Sequence, residues 1–221
     1  MATDHVRKTI ATYDTIAADY TSKTDLYAPL PEREKFLSLL LPAGSILDVG
    51  CGPGRDSAFF VSCGFSVVGV DLSEELLSIA KKRVPTATFK KQDLRKLSFP
   101  KETFHGIWAN ASLLHIKRSE VTGVLQRFYE VLKPDGILFI LIKEGKGEGY
   151  KRYKLAQSKP RYFTYFERSE LHDLLAGAGF MILDSYTWDQ KDRWPERPSE
   201  VWISSFSRKQ SKSKGTDRQS R

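Results

Sequence analysis

The stretch Ile46-Leu47-Asp48-Val49-Gly50-Cys51-Gly52-Pro53-Gly54-Arg55-Asp56 decides how this chain folds. Its apolar first half reads as a buried strand. Three glycines at alternate positions then pass the chain to residues 55–64, whose apolar side chains recur at a helical period. Glycines in such a corner let the main chain approach a ligand closely, and the helix that follows offers unpaired N–H groups and a partial positive charge. A second apolar run, Ser66-Val67-Val68-Gly69-Val70-Asp71, ends in an acid. In open parallel sheets ligands bind beyond the carboxyl ends of the strands, and an aspartate placed there can accept both hydroxyls of a ribose. The expected ligand contains a nucleoside.

The alternation continues outward. Strand-like runs cover residues 86–93, 105–110 and 136–143, and helical periods cover 73–83 and 118–133. Ser73, followed by Glu74 and Glu75, marks a helix start, with acids at the positive end of the helix dipole. Lys133-Pro134-Asp135-Gly136 stops one helix and turns into the fifth strand. Strand and helix alternating in this way predict an α/β fold with right-handed crossovers and a parallel sheet covered on both faces. Residues 5–21 and 31–41 read as two further helices, so 1–42 is expected to form an N-terminal helical cover and 43–207 the core. Within the core, 144–168 breaks the rhythm: glycine-rich at first, then basic and aromatic, with Tyr150, Arg152, Tyr153, Arg161, Tyr162, Phe163 and Tyr165. A helix over 169–178 leads to two final strand patterns, 180–188 and 201–209, whose helix-free connection predicts antiparallel pairing.

Composition narrows the class. The chain has 221 residues, 40% of them hydrophobic, which suits one domain with a substantial core. No run approaches the roughly 20 apolar residues a membrane helix needs, and the first residues show no apolar signal region, so a cytoplasmic protein without membrane contact is expected. Two cysteines, Cys51 and Cys63, make neither a disulfide framework nor a tetrahedral zinc site, and no metal site is expected. Of the net charge of +8, five units fall in the terminal stretch from Ser207, which carries six basic residues against Asp217. Residues 208–221 are expected to be a basic disordered tail, either a solvated end or a tether for nucleic acid.

The glycine corner resembles motif I of the class I S-adenosylmethionine-dependent methyltransferases, here Asp48-Val49-Gly50-Cys51-Gly52-Pro53-Gly54. Val67 to Ser73 looks like the second motif of that family, Lys91-Gln92-Asp93-Leu94 like the third, Gly106 to His115 like the segment after strand four, and Val131 to Gly136 like the turn before strand five. Tyr13 to Tyr20 is similar to the helix that covers the cofactor's methionine end in many members. The resemblance implies a Rossmann-like, seven-stranded, mostly parallel sheet of order 3-2-1-4-5-7-6, the last strand antiparallel, with helices on both faces. It also implies S-adenosylmethionine as methyl donor and S-adenosylhomocysteine as product. Carried onto this chain, Asp48 lies near the amino-acid portion and Gly50, Cys51, Gly52 and Gly54 let the chain pass close to it. Asp71 takes the ribose, Leu72 packs on adenine, and Asp93, next to Gln92, takes the adenine edge with the Leu94 N–H. Ala109, Asn110, Tyr13 and Tyr20 frame the methionine end.

Other readings stay open at this point. Asp48 could instead cap the glycine turn, Asp93 could cap a helix, and Cys51 could be no more than a small residue. His115 and Tyr162 are the candidates for a catalytic base, His115 with a structural role as its alternative. Trp108 and Phe104 read as core. The 144–168 segment, hinged at Gly145, Gly147 and Gly149, is a candidate acceptor lid, with a packed surface loop as its alternative. Asn110-Ala111-Ser112-Leu113 is not the Asp/Asn-Pro-Pro-aromatic sequence of amino-methylating DNA enzymes, no cysteine stands near strand four or five, and no paired glutamates follow strand four. A small-molecule acceptor leads. An RNA or protein acceptor using the basic tail, and a nicotinamide-dependent oxidoreductase, are the alternatives.

Overall fold

The computed structural model describes residues 4–152 and 159–210. In chain order, helices α1 (Asp4–Asp25) and α2 (Leu30–Ser38) precede β1 (Ser45–Val49), α3 (Arg55–Ser62), β2 (Ser66–Asp71), α4 (Glu74–Arg83), β3 (Thr88–Lys91) and β4 (Phe104–Asn110). There follow α5 (Arg118–Val131), β5 (Leu132–Lys143), β6 (Glu148–Arg152), β7 (Pro160–Thr164), α6 (Arg168–Gly177), β8 (Phe180–Asp189), α7 (Gln190–Arg193) and β9 (Val201–Lys209). Seven strands form one sheet in the order β3-β2-β1-β4-β5-β9-β8. The first five pair in parallel, and β9 runs antiparallel to both β5 and β8. This is the expected Rossmann-like arrangement, with one addition. Strands β6 and β7 form a separate antiparallel hairpin inside the 144–168 insertion, so the sheet's last two strands become the eighth and ninth of the chain.

Central strands covered on both faces must be apolar on both, which is why β1, β4 and β5 read as continuous hydrophobic runs. Alternate residues serve opposite layers. Leu47, Val49, Ile107, Ala109, Leu138 and Ile140 pack with Val124 and Phe128 of α5 and Leu171 and Leu175 of α6. Ile46, Trp108, Ile137 and Phe139 pack with Phe36 of α2 and Phe60 of α3. The Trp108 indole stacks on Phe139 with centroids 4.0 Å apart, and Phe104 is buried as well.

Three boundaries depart from expectation. Helix α5 passes straight into β5, where Leu132 already pairs with Phe104; the Lys133–Gly136 turn is a bulge, and the ladder resumes at Gly106 and Ile137. Asp135 takes φ +60° there, and a Cβ at Gly136 would stand 2.8 Å from the Lys133 carbonyl oxygen. The β8–β9 connection contains the short helix α7, which is too brief for a crossover, so the strands still pair antiparallel. Strand β9 continues through Arg208 and Lys209, and the Lys209 ammonium donates to the Leu132 carbonyl at 2.7 Å. Tyr153 and the tail residues 211–221 lie outside the described residues. Among the described residues no helix is long and apolar enough to cross a membrane.

Candidate ligand site

The carboxyl ends of β1, β2 and β4 meet at the glycine corner. Gly50, Gly52 and Gly54 all adopt positive φ, at +69°, +52° and +75°, a region that L side chains enter only at a cost. The amides of Gly50 and Cys51 both donate to the Val70 carbonyl, at 2.8 and 3.1 Å, which ties the corner to the end of β2. A Cβ on Gly50 would lie 2.5 Å from the Ser112 Cβ, whereas one on Gly52 would meet nothing within 4 Å. The open side of Gly52 faces a cleft.

That cleft, about 760 Å³, is bounded by α1, the glycine corner and the ends of β2, β3 and β4. Of the residues singled out from sequence, Tyr13, Tyr20, Gly50, Gly52, Asp71, Leu72, Gln92, Asp93, Leu94, Asn110 and His115 line it. Asp71 is fixed by two amides: Gly52 N–H donates to Oδ2 and Ser73 N–H to Oδ1, each at 2.9 Å. Burial pushes the Asp71 carboxyl pKa up, and these amide bonds oppose the rise. Asp93 is held differently. Its two oxygens take the Arg95 guanidinium, and Oδ1 also accepts the Arg95 N–H as the cap of a short 3-10 turn. Burial alone would raise its pKa, but those bonds outweigh it and the carboxyl lies below its ordinary value. Asp93 is therefore both cap and cleft wall. Ser112 lines the cleft, and its hydroxyl is buried with no hydrogen-bond partner among the described residues.

A second cleft, about 870 Å³, opens from the same corner; Tyr20, Gly50, Gly52, Asn110 and Ala111 border both. Asp48 and Cys51 sit on its wall. Asp48 accepts from the Ser57 hydroxyl at 2.6 Å, and burial, with the nearby Asp56 charge, pushes its pKa up to about 7. Asp56 is the hub that sequence reasoning missed. Its carboxylate accepts from the guanidinium groups of Arg33 and Arg55, from the Trp108 indole at 2.8 Å and from the Asn110 amide at 2.7 Å. Burial disfavours that charge, but the two guanidiniums more than offset it and hold Asp56 far below the ordinary carboxylate range. The Cys51 thiol is buried and its pKa is raised well above normal, foremost by burial, which leaves it unreactive.

Four expected site residues fall elsewhere or act otherwise. Gly54 lines neither cleft; its left-handed backbone caps the start of α3. Ala109 is buried in β4, one residue short of the clefts, and Asn110, Ala111 and Ser112 take its place. Tyr162 lies away from both clefts: on an alternating strand its neighbour Arg161 reaches the Tyr13 hydroxyl, while the Tyr162 ring packs on His5 and Tyr150. Its hydroxyl pKa is pushed up to about 12, by burial and then by Glu148. His115 lines the cleft, but both ring nitrogens are engaged, by the Tyr13 hydroxyl and the Tyr162 carbonyl. Nor do the described residues of the 144–168 insertion wall either cleft; the hairpin packs on α1 instead. The second cleft's outer wall comes from the β8–β9 region, with Trp188, Trp194, Arg197 and Trp202. The signal that could have pointed there is compositional: three of the chain's four tryptophans fall between positions 188 and 202.

The sheet order, together with a glycine corner between an Asp48-bearing strand and an Asp71-bearing one, defines the Rossmann-like fold of the class I S-adenosylmethionine-dependent methyltransferases. Residues 46–136, from β1 to the turn inside β5, match the methyltransferase domain family, and that segment belongs to it. The chain is similar to phosphoethanolamine N-methyltransferase 3 of Arabidopsis thaliana, 31% identical over 71% of this chain and 31% of the relative. It is also similar to trans-aconitate 2-methyltransferase of Variovorax paradoxus, 31% identical over 53% of this chain and 46% of the relative. The chain thus spans less than half the length of either. Among solved structures, it matches Burkholderia thailandensis 1,6-didemethyltoxoflavin-N1-methyltransferase, a structure with bound 1,6-didemethyltoxoflavin and S-adenosylhomocysteine. The TM-score is 0.69 at 23% identity, over 96% of this chain and 92% of that one.

Proposed function

We propose that the protein is an S-adenosylmethionine-dependent methyltransferase acting on a small-molecule acceptor. The observation that carries this reading is Asp71: a half-buried carboxylate, presented to a cleft by the amides of Gly52 and Ser73, next to a glycine whose side faces open space. In this proposal Asp71 accepts the ribose hydroxyls, Leu72 and Leu94 flank adenine with Gln92 and Asp93 at its edge, and Gly50 and Gly52 border the ligand's middle. Asn110, Ser112, Tyr13 and Tyr20 surround the methionine end, with Asp48 behind the corner.

When bound, S-adenosylmethionine supplies an electrophilic methyl on a sulfonium: the acceptor's lone pair forms the new bond as the carbon–sulfur bond breaks and its electrons stay on sulfur. The chain's own contribution is alignment and exclusion of water, which together can supply much of the acceleration of an in-line displacement. The two clefts meet at Gly50, Gly52 and Asn110, so donor and acceptor can lie on either side of one junction. The relatives' names, phosphoethanolamine and trans-aconitate methyltransferases, support an acceptor of small size. Cytoplasmic residence belongs to the same proposal and rests on sequence alone.

Calorimetry tests the reading: S-adenosylhomocysteine is expected to bind, and NAD is not. The reverse result would replace it with the oxidoreductase alternative. Mass spectrometry of a metabolite extract and a tRNA pool, each incubated with protein and methyl-labelled donor, then separates a small-molecule acceptor from RNA.

A further inference from the structure

The second cleft carries information that the methyltransferase reading leaves unused. Its outer wall is aromatic: Trp188 meets Trp194 edge to face at 5.8 Å and stacks with Trp202 at 6.4 Å, while Tyr27 meets Trp194 at 5.3 Å. Rings at such spacing offer flat, apolar surface to a flat guest. Cations already cover several of these rings. Arg193 lies 3.6 Å over Trp188, Lys143 5.3 Å over Trp202, and Arg197 4.5 Å over Tyr27. A cationic guest would meet repulsion where an empty aromatic cage would attract it.

Among the described residues, each cation near the cleft has a carboxylate partner except one. Arg193 pairs with Glu32, Lys143 with Glu200, and Arg55 with Asp56. The Asp48 carboxyl is bonded to Ser57 and the Asp56 carboxylate is surrounded by donors. Arg197 lines the cleft, donates to the Gln190 side-chain oxygen at 3.1 Å, and meets no carboxylate among the described residues. A guanidinium in that setting matches a carboxylate, with which it can form two parallel hydrogen bonds.

We propose that the acceptor is a planar aromatic acid, its ring among Trp188, Trp194 and Trp202 and its carboxylate on Arg197. The inference rests on the methyltransferase reading, which makes this cleft the acceptor's side of the junction. Donor and acceptor subsites then divide the charge work: Asp71 grips a neutral sugar, and Arg197 selects an anion.

The test is calorimetric titration of protein saturated with S-adenosylhomocysteine, using 6-hydroxy-2-naphthoate, 6-hydroxy-2-naphthamide and cyclohexanecarboxylate as probes. The naphthoate is expected to bind at least about tenfold more tightly than either of the others, the discrimination a charged hydrogen-bonded pair supplies. Arg197→Gln is expected to bring the naphthoate down to the level of the amide, and Trp194→Ala to weaken both naphthalene probes alike. In both variants S-adenosylhomocysteine affinity should stay unchanged, which also shows that they fold. Equal binding of acid and amide, or naphthoate affinity untouched by Arg197→Gln, would overturn the proposal. So would loss of S-adenosylhomocysteine affinity in Arg197→Gln, since the arginine would then serve the donor. If S-adenosylhomocysteine fails to bind the unaltered protein, the methyltransferase reading itself falls; if it binds and the naphthoate does not, only the acceptor class does.

Discussion

The Tyr13 hydroxyl lies 2.9 Å from His115 Nε2, and the direction of that hydrogen bond is fixed by its neighbours. Arg161 donates to the same hydroxyl at 2.7 Å, so the Tyr13 proton points to His115. His115 Nδ1 faces the Tyr162 carbonyl at 2.6 Å and must carry the imidazole's proton. His115 is thus a neutral ring filled at both nitrogens, and it joins α1 to the β6–β7 hairpin. Burial foremost, then Arg161, lowers its pKa to about 3. Both ring nitrogens being filled fits the structural alternative that the sequence left open for His115, a brace between α1 and the hairpin.

That brace predicts an acid sensitivity. A histidine whose folded pKa is depressed favours the folded state above its unfolded pKa of roughly 6.5, and this advantage is lost as pH falls toward 3, because the unfolded chain takes up the proton first. At pH 5 the loss amounts to about 2 kcal/mol. Urea unfolding at pH 7.5 and pH 5 should show His115→Gln losing less stability over that interval than the unaltered protein. Equal losses would mean that His115 is not held neutral.

Asp48 should show the opposite sign. Its folded pKa, raised to about 7 by burial and Asp56, exceeds the ordinary carboxyl value, so keeping it ionised costs stability as pH climbs from about 4 to 7. Asp48→Asn should therefore gain stability relative to the unaltered protein between pH 4 and pH 8, by on the order of 2–4 kcal/mol. Arg33→Met should do the reverse and cost about 2–3 kcal/mol at pH 7, because it strips one cation from the buried Asp56 carboxylate. Denaturant midpoints across pH check both. A flat difference for Asp48→Asn would show that its carboxyl is not neutral in the folded protein.

The cleft beside Asp71 was legible because its signals are local. Gly50, Gly52, Asp71, Leu72 and Asp93 each stand at a strand end within one contiguous stretch, where strand period and glycine spacing fix geometry directly. The sheet was legible for the same reason. The second cleft was not, because it is assembled from distant pieces: Tyr27 before β1, Asp56 inside α3, and Trp188, Trp194 and Arg197 beyond β7. Asp56 reads in sequence as an acid in the first turn of a helix, and only the approach of Arg33, Trp108 and Asn110 makes it a hub. The 144–168 insertion could be read two ways because its glycines suggest motion and its aromatics packing; among the described residues β6 and β7 pair along five residue positions, and Thr12, Thr9 and Tyr13 of α1 engage Pro160, Tyr162 and Arg161.

Asp71 should be the most sensitive single position for the ligand. Asp71→Ala removes the group proposed to accept the ribose hydroxyls, and it leaves the Gly52 and Ser73 amides without their partner. A bond to a charged acceptor contributes about 1.5–3 kcal/mol, so S-adenosylhomocysteine affinity should fall by about tenfold to a hundredfold. Calorimetry on the folded variant measures it. An affinity that stayed unchanged would remove the ribose from this carboxylate.

The glycine corner offers a paired test in which fold and binding separate. Gly50 and Gly52 both have positive φ, so an alanine at either costs about 1–2 kcal/mol in backbone strain. At Gly50 the new methyl would also collide with the Ser112 Cβ at 2.5 Å, and overpacking adds a further 1–3 kcal/mol or so. At Gly52 it would enter open space, the space proposed for the ligand. Gly50→Ala should thus lower the melting temperature clearly more than Gly52→Ala, which should shift it by only a few degrees. Yet Gly52→Ala, well folded, should lose about tenfold or more in S-adenosylhomocysteine affinity, because its methyl occupies the ligand's path where main chain and ligand come closest. If Gly52→Ala bound as tightly as the unaltered protein, the ligand would not pass Gly52, and the open space on that side of the corner would have to belong to something else.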